Sequence, residues 1–310
     1  MYEIKLFGPG RVFFKGQVIT GFPGQQHCLL FYYLLLNRHT SYTREQVATV
    51  FWSDDSSSVA LKNLRNALWR LRQAFRSVNA SMDELISIQE DYIAFLDTDS
   101  YQLDIDRFEA AARLCQHESG QELSDNTVRL LENAVELYSG DLLEGIYEDW
   151  CLYERERLRL AFLNILVSLM DHHSRKGNYK HSLEYGKRIL LLDPTREKVH
   201  RQIMLIHGLA GNREAALFQY RSCCSILQTE LGLQPAQETK QLYETILRSS
   251  SASAKGSPED LANPRNNTNI QSNQPLTEMM QKLHFLEMIV EQTNAELHRL
   301  EGMIRQALDA

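Results

Sequence analysis

The sequence predicts a mostly α-helical protein with a small β component: a winged helix-turn-helix, an all-α tetratricopeptide-like domain and a carboxy-terminal coiled-coil helix. Short strand patterns frame three helical segments within the first hundred residues. Further along, a Gly-Asn pair recurs at a spacing of 34 residues. Near the end, an apolar residue recurs every seventh position. The 310 residues, 43% of them hydrophobic, are enough for two ordinary domains.

The first predicted domain, residues 1–98, has the strand and helix order of a winged helix. We expect strands over 2–7, 12–14 and 18–20, helices over 24–37, 44–51 and 58–76, and a hairpin of 85–88 and 92–96. Thr43 followed by Gln46 is typical of a capping box, which predicts that the second helix begins after Thr43. The polar run 53–58 ends that helix and caps the third one.

The second predicted domain, residues 99–248, has a helical pattern throughout. Gly177-Asn178 recurs as Gly211-Asn212, and the spacing of 34 residues is the tetratricopeptide period. If each glycine forms the turn between paired helices, Ser182 and Ala216 take equivalent positions where helices cross. The pattern predicts helical hairpins, although two matched turns do not predict a longer array.

The end of the chain is predicted to be a linker, residues 249–275, followed by a coiled-coil helix, residues 276–310. The linker is rich in Ser, Asn, Pro, Ala and Gly. The first seam positions of the heptad are Leu276, Leu283, Val290, Leu297 and Ile304. The seam favours a parallel coiled coil of two helices and is also compatible with three or four helices, so a homo-oligomer is expected. The alternative is that this helix folds back on the helical domain of its own chain.

The overall net charge of −7 hides an uneven distribution. Up to Arg76 there are ten basic and four acidic residues, a net charge of +6, which leaves −13 for the rest of the chain. A basic amino-terminal segment on an acidic chain indicates that only this segment meets a polyanion. The charge pattern therefore favours a nucleic-acid partner for the first domain.

The third predicted helix carries the strongest candidate binding surface. At 100° per residue its apolar residues fall on one side, and no acid interrupts the opposite side from Val59 to Arg76. This outer face, within about 60° of Lys62, consists of Lys62, Arg65, Asn66, Trp69, Gln73 and Arg76. Such side chains can read base edges in a major groove. Arg70 and Arg72 lie on the flanks, where they would meet phosphates.

Two alternatives stay open for this helix. The charged side chains are compatible with an ordinary solvated helix face. Trp69 is compatible with a contact to a thymine methyl group or sugar, and equally with packing against the hairpin. Thr43 and Arg44, at the start of the second helix, complete the predicted DNA-binding set.

Several motifs resemble a known family. Thr43-Arg44-Glu45-Gln46-Val47 and Arg70-Leu71-Arg72-Gln73-Ala74-Phe75 resemble the antibiotic-regulatory-protein family of bacterial transcriptional activators. Tyr138-Ser139-Gly140-Asp141-Leu142-Leu143 and Leu231-Gly232-Leu233-Gln234-Pro235 resemble its bacterial transcriptional activator domain. The resemblance implies that the first domain binds direct repeats in double-stranded DNA beside a promoter and that RNA polymerase is recruited. The acidic hairpin turn Gln89-Glu90-Asp91 departs from the family pattern and argues against a minor-groove contact there.

Other classes of function find little support in the sequence. No residues assemble a nucleophile, a base and an orienting group, so we expect neither an enzyme nor a cofactor. The apolar run 28–36 is too short to span a bilayer, which predicts a cytoplasmic protein without a membrane partner. The alternative function is a helical-repeat scaffold that binds proteins, with the winged helix contacting polymerase instead of bases. A small-molecule effector on the helical domain is compatible with the sequence, but no residues identify it.

Overall fold

The computed structural model describes residues 1–21, 26–117 and 122–248, which form two compact units, Met1–Tyr185 and a second beginning at Gly186. The first unit opens with β1 (Tyr2–Lys5), β2 (Arg11–Phe14), β3 (Gln17–Val18), α1 (Gln26–Leu36), β4 (Ser41–Thr43), α2 (Arg44–Phe51), α3 (Ser57–Arg76), a 3-10 turn (Met82–Glu84), β5 (Ile86–Ile88), β6 (Tyr92–Phe95) and β7 (Tyr101–Leu103). The helices that follow are α4 (Asp104–His117), α5 (Asp125–Leu137), α6 (Asp149–Arg175), α7 (Tyr179–Leu192), α8 (Glu197–Leu209), α9 (Arg213–Leu231) and α10 (Gln237–Arg248).

The predicted order of sheet, three helices and hairpin is confirmed. The first sheet has the order β3-β2-β1-β7, and the second, β4-β6-β5, contains the hairpin of β5 and β6, which we call the wing. Two strands were not predicted. β4 pairs antiparallel with β6, and β7 pairs parallel with β1.

The core of the winged helix lies between α1, the inner face of α3 and the first sheet. The buried side chains of α3 are Ala60, Leu64, Ala67, Leu68, Leu71 and Phe75, the set that helical spacing predicts. Phe75 contacts the rings of Phe31 and Tyr2, with centroids 5.7 and 5.8 Å away. α3 is therefore fixed from one side, and its other side is left to solvent.

A buried carboxylate joins the first sheet to the helices that follow. The amides of Leu6 and Phe7 donate to Asp104 Oδ2 over 2.8 and 3.0 Å. The ring of Phe7 packs against Phe108 and Tyr138, with centroids 5.1 and 4.7 Å apart. The expected domain boundary after residue 98 therefore precedes a strand, β7, that belongs to the amino-terminal sheet.

The helical hairpins turn at the glycines that the 34-residue spacing identifies. Gly177, between α6 and α7, has φ +74°, and Gly211, between α8 and α9, has φ +76°. Side chains are disfavoured in this left-handed region, so glycine allows each tight turn. Ser182 and Ala216 are fully buried, as expected of small residues where helices cross. The tetratricopeptide-like prediction is confirmed, whereas the predicted linker and coiled coil lie outside the described residues.

Candidate nucleic-acid interface

The predicted outer face of α3 is open to solvent. Lys62, Arg65, Asn66, Arg70 and Arg76 are exposed, and Gln73 is half-buried. Within residues 1–21, 26–117 and 122–248, none of these side chains forms a hydrogen bond or an ion pair. The helix thus presents unpaired donors along one side, with no acidic residue among them.

Trp69 lies among these donors with 62% of its surface exposed. The indole is therefore not buried against the wing. Other large apolar side chains, such as Tyr147 and Phe218, are exposed to a similar or greater extent, so exposure alone does not identify a ligand. Trp69 is thus available to a ligand that binds the outer face of α3.

Arg72, on one flank of α3, is engaged within the protein. Its Nη2 atom lies 2.9 Å from Asp83 Oδ1 in the 3-10 turn, and the guanidinium is half-buried. The neighbouring carboxylate offsets its charge. Of the two predicted flanking cations, Arg72 is therefore less available to a phosphate than Arg70.

Thr43 and Arg44 hold the start of α2 and the wing in place. Thr43 Oγ1 accepts from the amide of Gln46, and the amide of Thr43 donates to Gln46 Oε1, which confirms the predicted capping box. The amide and Nη2 atom of Arg44 donate to the carbonyls of Asp91 and Gln89 over 3.0 and 3.1 Å. Both residues therefore position the wing next to α2.

A cleft that the sequence did not predict lies on the Arg70 side of α3. The cleft has a volume of about 220 Å³ and lies between the start of α1, the end of α2 and α3. Its lining residues are Gln26, His27, Trp52, Asn63, Asn66, Ala67 and Arg70. A histidine at the start of the strongly apolar helix α1 was the one signal in the sequence that pointed to it.

His27 is buried, with 6% of its surface exposed. Burial, and to a smaller extent the Arg70 guanidinium, lowers the pKa of His27, so the imidazole is neutral at pH 7. No hydrogen bond involves this side chain within the described parts of the chain. Asn63 donates to Asp55 Oδ2 over 2.9 Å, and Asp55 is not among the lining residues.

Two kinds of feature are absent from the described residues. Among residues 1–21, 26–117 and 122–248, no group of three His, Cys, Asp or Glu side chains is placed to hold a metal ion. No helix in those ranges has both the length and the apolar character that crossing a bilayer requires.

A family model of the bacterial transcriptional activator domain matches residues 103–247. Residues 103–247 therefore carry a bacterial transcriptional activator domain. The resemblance to the antibiotic-regulatory-protein family is thereby confirmed.

Similar proteins agree with this assignment. The regulatory protein AfsR of Streptomyces griseus is 24% identical to this chain. The match covers 84% of this chain and only 25% of AfsR. The transcriptional regulatory protein MoaR1 of Mycobacterium tuberculosis is 23% identical, and the match covers 79% of each protein. The structure of Mycobacterium tuberculosis EmbR in complex with a low-affinity phosphopeptide superposes with a TM-score of 0.64 at 16% identity. This match covers 94% of this chain and 71% of that one, and it shows a shared fold.

The bacterial transcriptional activator domain contacts the first sheet through one of the motifs that identify it. Ser139 Oγ donates to the carbonyl of Phe7 over 3.1 Å, and the amide of Gly8 donates to the carbonyl of Asp141 over 2.8 Å. Tyr138 donates to Asp141 Oδ1 over 2.7 Å. The motif therefore fastens the helices α4–α6 of the activator domain to the sheet of the winged helix.

Proposed function

We propose that the chain is a sequence-specific DNA-binding transcriptional regulator that acts in the cytoplasm. In this proposal it is an activator that binds promoter-proximal repeats and recruits RNA polymerase. The observation that carries the proposal is the exposed, acid-free outer face of α3, with unpaired donors beside an exposed indole. The family assignment supports it, since the related proteins are named as regulators.

The outer face of α3 has the chemistry for reading a major groove. Arg65 has the paired donors that match guanine, and Asn66 has the donor and acceptor that match adenine. Lys62 and Arg76 add positive charge along the same side of the helix. The buried inner face fixes the orientation of the helix, so these side chains project from a defined side of α3.

The second candidate is a protein-binding helical scaffold whose winged helix contacts polymerase and not bases. The acidic wing turn favours this candidate, because Glu90 and Asp91 are exposed and would repel phosphates.

The two functions predict different results for selection from a pool of random duplexes. DNA readout by paired binding domains predicts enrichment of a repeated motif after a few rounds. A scaffold predicts a pool that remains random.

We also propose that the chain forms a homo-oligomer through residues 276–310, because the heptad pattern leaves an apolar seam that needs a partner. Position 286 lies three residues after Leu283, on the second apolar seam of the heptad. A lysine at this position of the full-length chain is expected to dissociate the oligomer. The control is Gln292→Lys, which adds the same charge away from the seam. Sedimentation equilibrium of Leu286→Lys and the control at micromolar concentration measures the difference. An unmodified protein that is already monomeric contradicts the proposal.

A further inference from the structure

We propose that the cleft beside Arg70 anchors one phosphate of the DNA backbone. This inference rests on the proposed DNA-binding function and names a subsite within that interface. The cleft lies on a flank of α3, next to the outer face that would enter the groove. A helix seated in a major groove passes close to the backbone on its flanks, where phosphate contacts set its register.

The first observation is the unpartnered imidazole of His27. More than nine-tenths of this residue is buried, it lines the cleft, and its side chain has no hydrogen bond within residues 1–21, 26–117 and 122–248. A neutral imidazole always carries one N–H donor. The ring nitrogens of His27 are not among the fully buried unpaired atoms of the described residues, so the imidazole keeps access to the cleft that it lines. An acceptor that enters the cleft can therefore receive a hydrogen bond from this N–H.

The second observation is the set of groups around His27. Arg70 brings a guanidinium, and Trp52 and Asn66 bring an indole N–H and an amide. The side-chain amide of Gln26 donates to the carbonyl of Phe51 over 3.5 Å. All of these groups can donate hydrogen bonds, and no carboxylate is among the residues that line the cleft. A donor-rich cleft with one permanent cation matches a singly charged phosphodiester.

The third observation is the difference between the two flanks of α3. Arg72, on the other flank, is paired with Asp83, whereas Arg70 has no ion-pair partner in the part of the chain that is described. The cleft volume of about 220 Å³ is several times the roughly 30 Å³ that one water molecule occupies, so a phosphate group has room to enter. Arg70 therefore marks the flank on which the backbone is held.

The experiment uses the full-length protein and a duplex obtained by selection. Each phosphate near the recognised bases is replaced in turn by an uncharged methylphosphonate. At one position we expect the unmodified protein to lose about tenfold in affinity, a typical value for one charge-assisted contact. The Arg70→Gln variant should bind the parent duplex more weakly than the unmodified protein does, and the methylphosphonate at that position should not lower its affinity further. The slope of the logarithm of its affinity against the logarithm of the salt concentration should be smaller in magnitude by about one.

Two further variants complete the test. Lys180→Gln removes an equal charge from an exposed position outside the winged helix, and it should respond to the scan as the unmodified protein does. His27→Leu removes the donor and His27→Asn keeps one, so only His27→Leu should lose sensitivity at the same phosphate. For each variant, the affinity for a modified duplex is compared with the affinity of the same variant for the parent duplex. A change in protein stability lowers both affinities equally and leaves their ratio unchanged.

Each outcome decides the proposal. If Arg70→Gln remains as sensitive as the unmodified protein at every phosphate, the subsite is wrong although DNA binding stands. If inorganic phosphate titrates the His27 resonances while the scan shows no dependence on Arg70, the cleft binds free phosphate and the backbone assignment is wrong. If the unmodified protein binds no duplex, the proposed function itself fails.

Discussion

Replacing Arg65 with alanine in the full-length chain is expected to lower the affinity for the selected duplex by about 10- to 100-fold. Arg65 is exposed on the outer face of α3 and has no partner within the described residues, so its guanidinium is available to guanine. Loss of a paired base contact should also relax the base preference at one position. Fluorescence anisotropy with the selected duplex and with single-base variants measures both effects.

The matched control for this prediction is Arg129→Ala, which removes the same side chain from an exposed position on α5. Its affinity and base preference should equal those of the unmodified protein. Arg72→Ala should weaken binding to all sequences similarly and by less than Arg65→Ala, because Arg72 lies on a flank, away from the bases, and Asp83 offsets part of its charge. Unchanged operator binding by Arg65→Ala contradicts the assignment of α3 as the reading helix.

Replacing Asp104 with alanine is expected to reduce the free energy of unfolding by about 3 kcal/mol, because three buried amides lose their acceptor. The carboxylate accepts from Leu6 and Phe7 through Oδ2 and from Ile105 through Oδ1. Burial raises the pKa of Asp104, and these amide donors lower it in part. Urea denaturation followed by circular dichroism at pH 7 measures the loss.

Asp99→Ala is the control for this prediction, since Asp99 is an exposed carboxylate just before β7. It should change the free energy of unfolding by less than about 0.5 kcal/mol. Asp104→Asn keeps one acceptor oxygen, so its free energy of unfolding should lie between those of Asp104→Ala and Asp99→Ala. Equal stabilities of Asp104→Ala and Asp99→Ala would mean that the carboxylate does not hold the first sheet to α4.

The parts of the fold that depend on local sequence were predictable. The inner face of α3 follows from helical spacing, and the start of α2 follows from the Thr43 and Gln46 pair. β4 and β7 were not predicted because each has three residues and a partner distant in sequence. Too few residues alternate in such strands to give a periodic signal.

The candidate site was predictable to the same extent. Exposure of the outer face follows from the helix period, whereas contacts between distant residues do not. Arg72 pairs with a residue 11 positions away, and Arg44 reaches a carbonyl 45 positions away. Nothing local in the sequence identifies such partners, and the DNA-binding roles of Arg72 and Arg44 stay predictions. The cleft at His27 combines three helical segments and was equally hidden.

The histidine pair at the end of α6 shows the same limit of local sequence. His172 and His173 are adjacent on a helix, where their side chains diverge, yet both residues are buried, with 6% and 8% of their surface exposed. The ring of His173 stacks on Tyr185 with centroids 5.6 Å apart. The direction of a side chain around its own helix does not reveal which neighbouring helices cover it.

The most direct test of the central claim is the salt dependence of duplex binding by the full-length protein. The outer face and one flank of α3 bring Lys62, Arg65, Arg70 and Arg76 towards the DNA. If these four cations contact phosphates or replace counterions, the logarithm of the affinity should fall against the logarithm of the salt concentration with a slope of roughly −3 to −4 per binding domain. A slope near zero, or no measurable affinity at low salt, contradicts DNA binding and leaves the protein-binding scaffold.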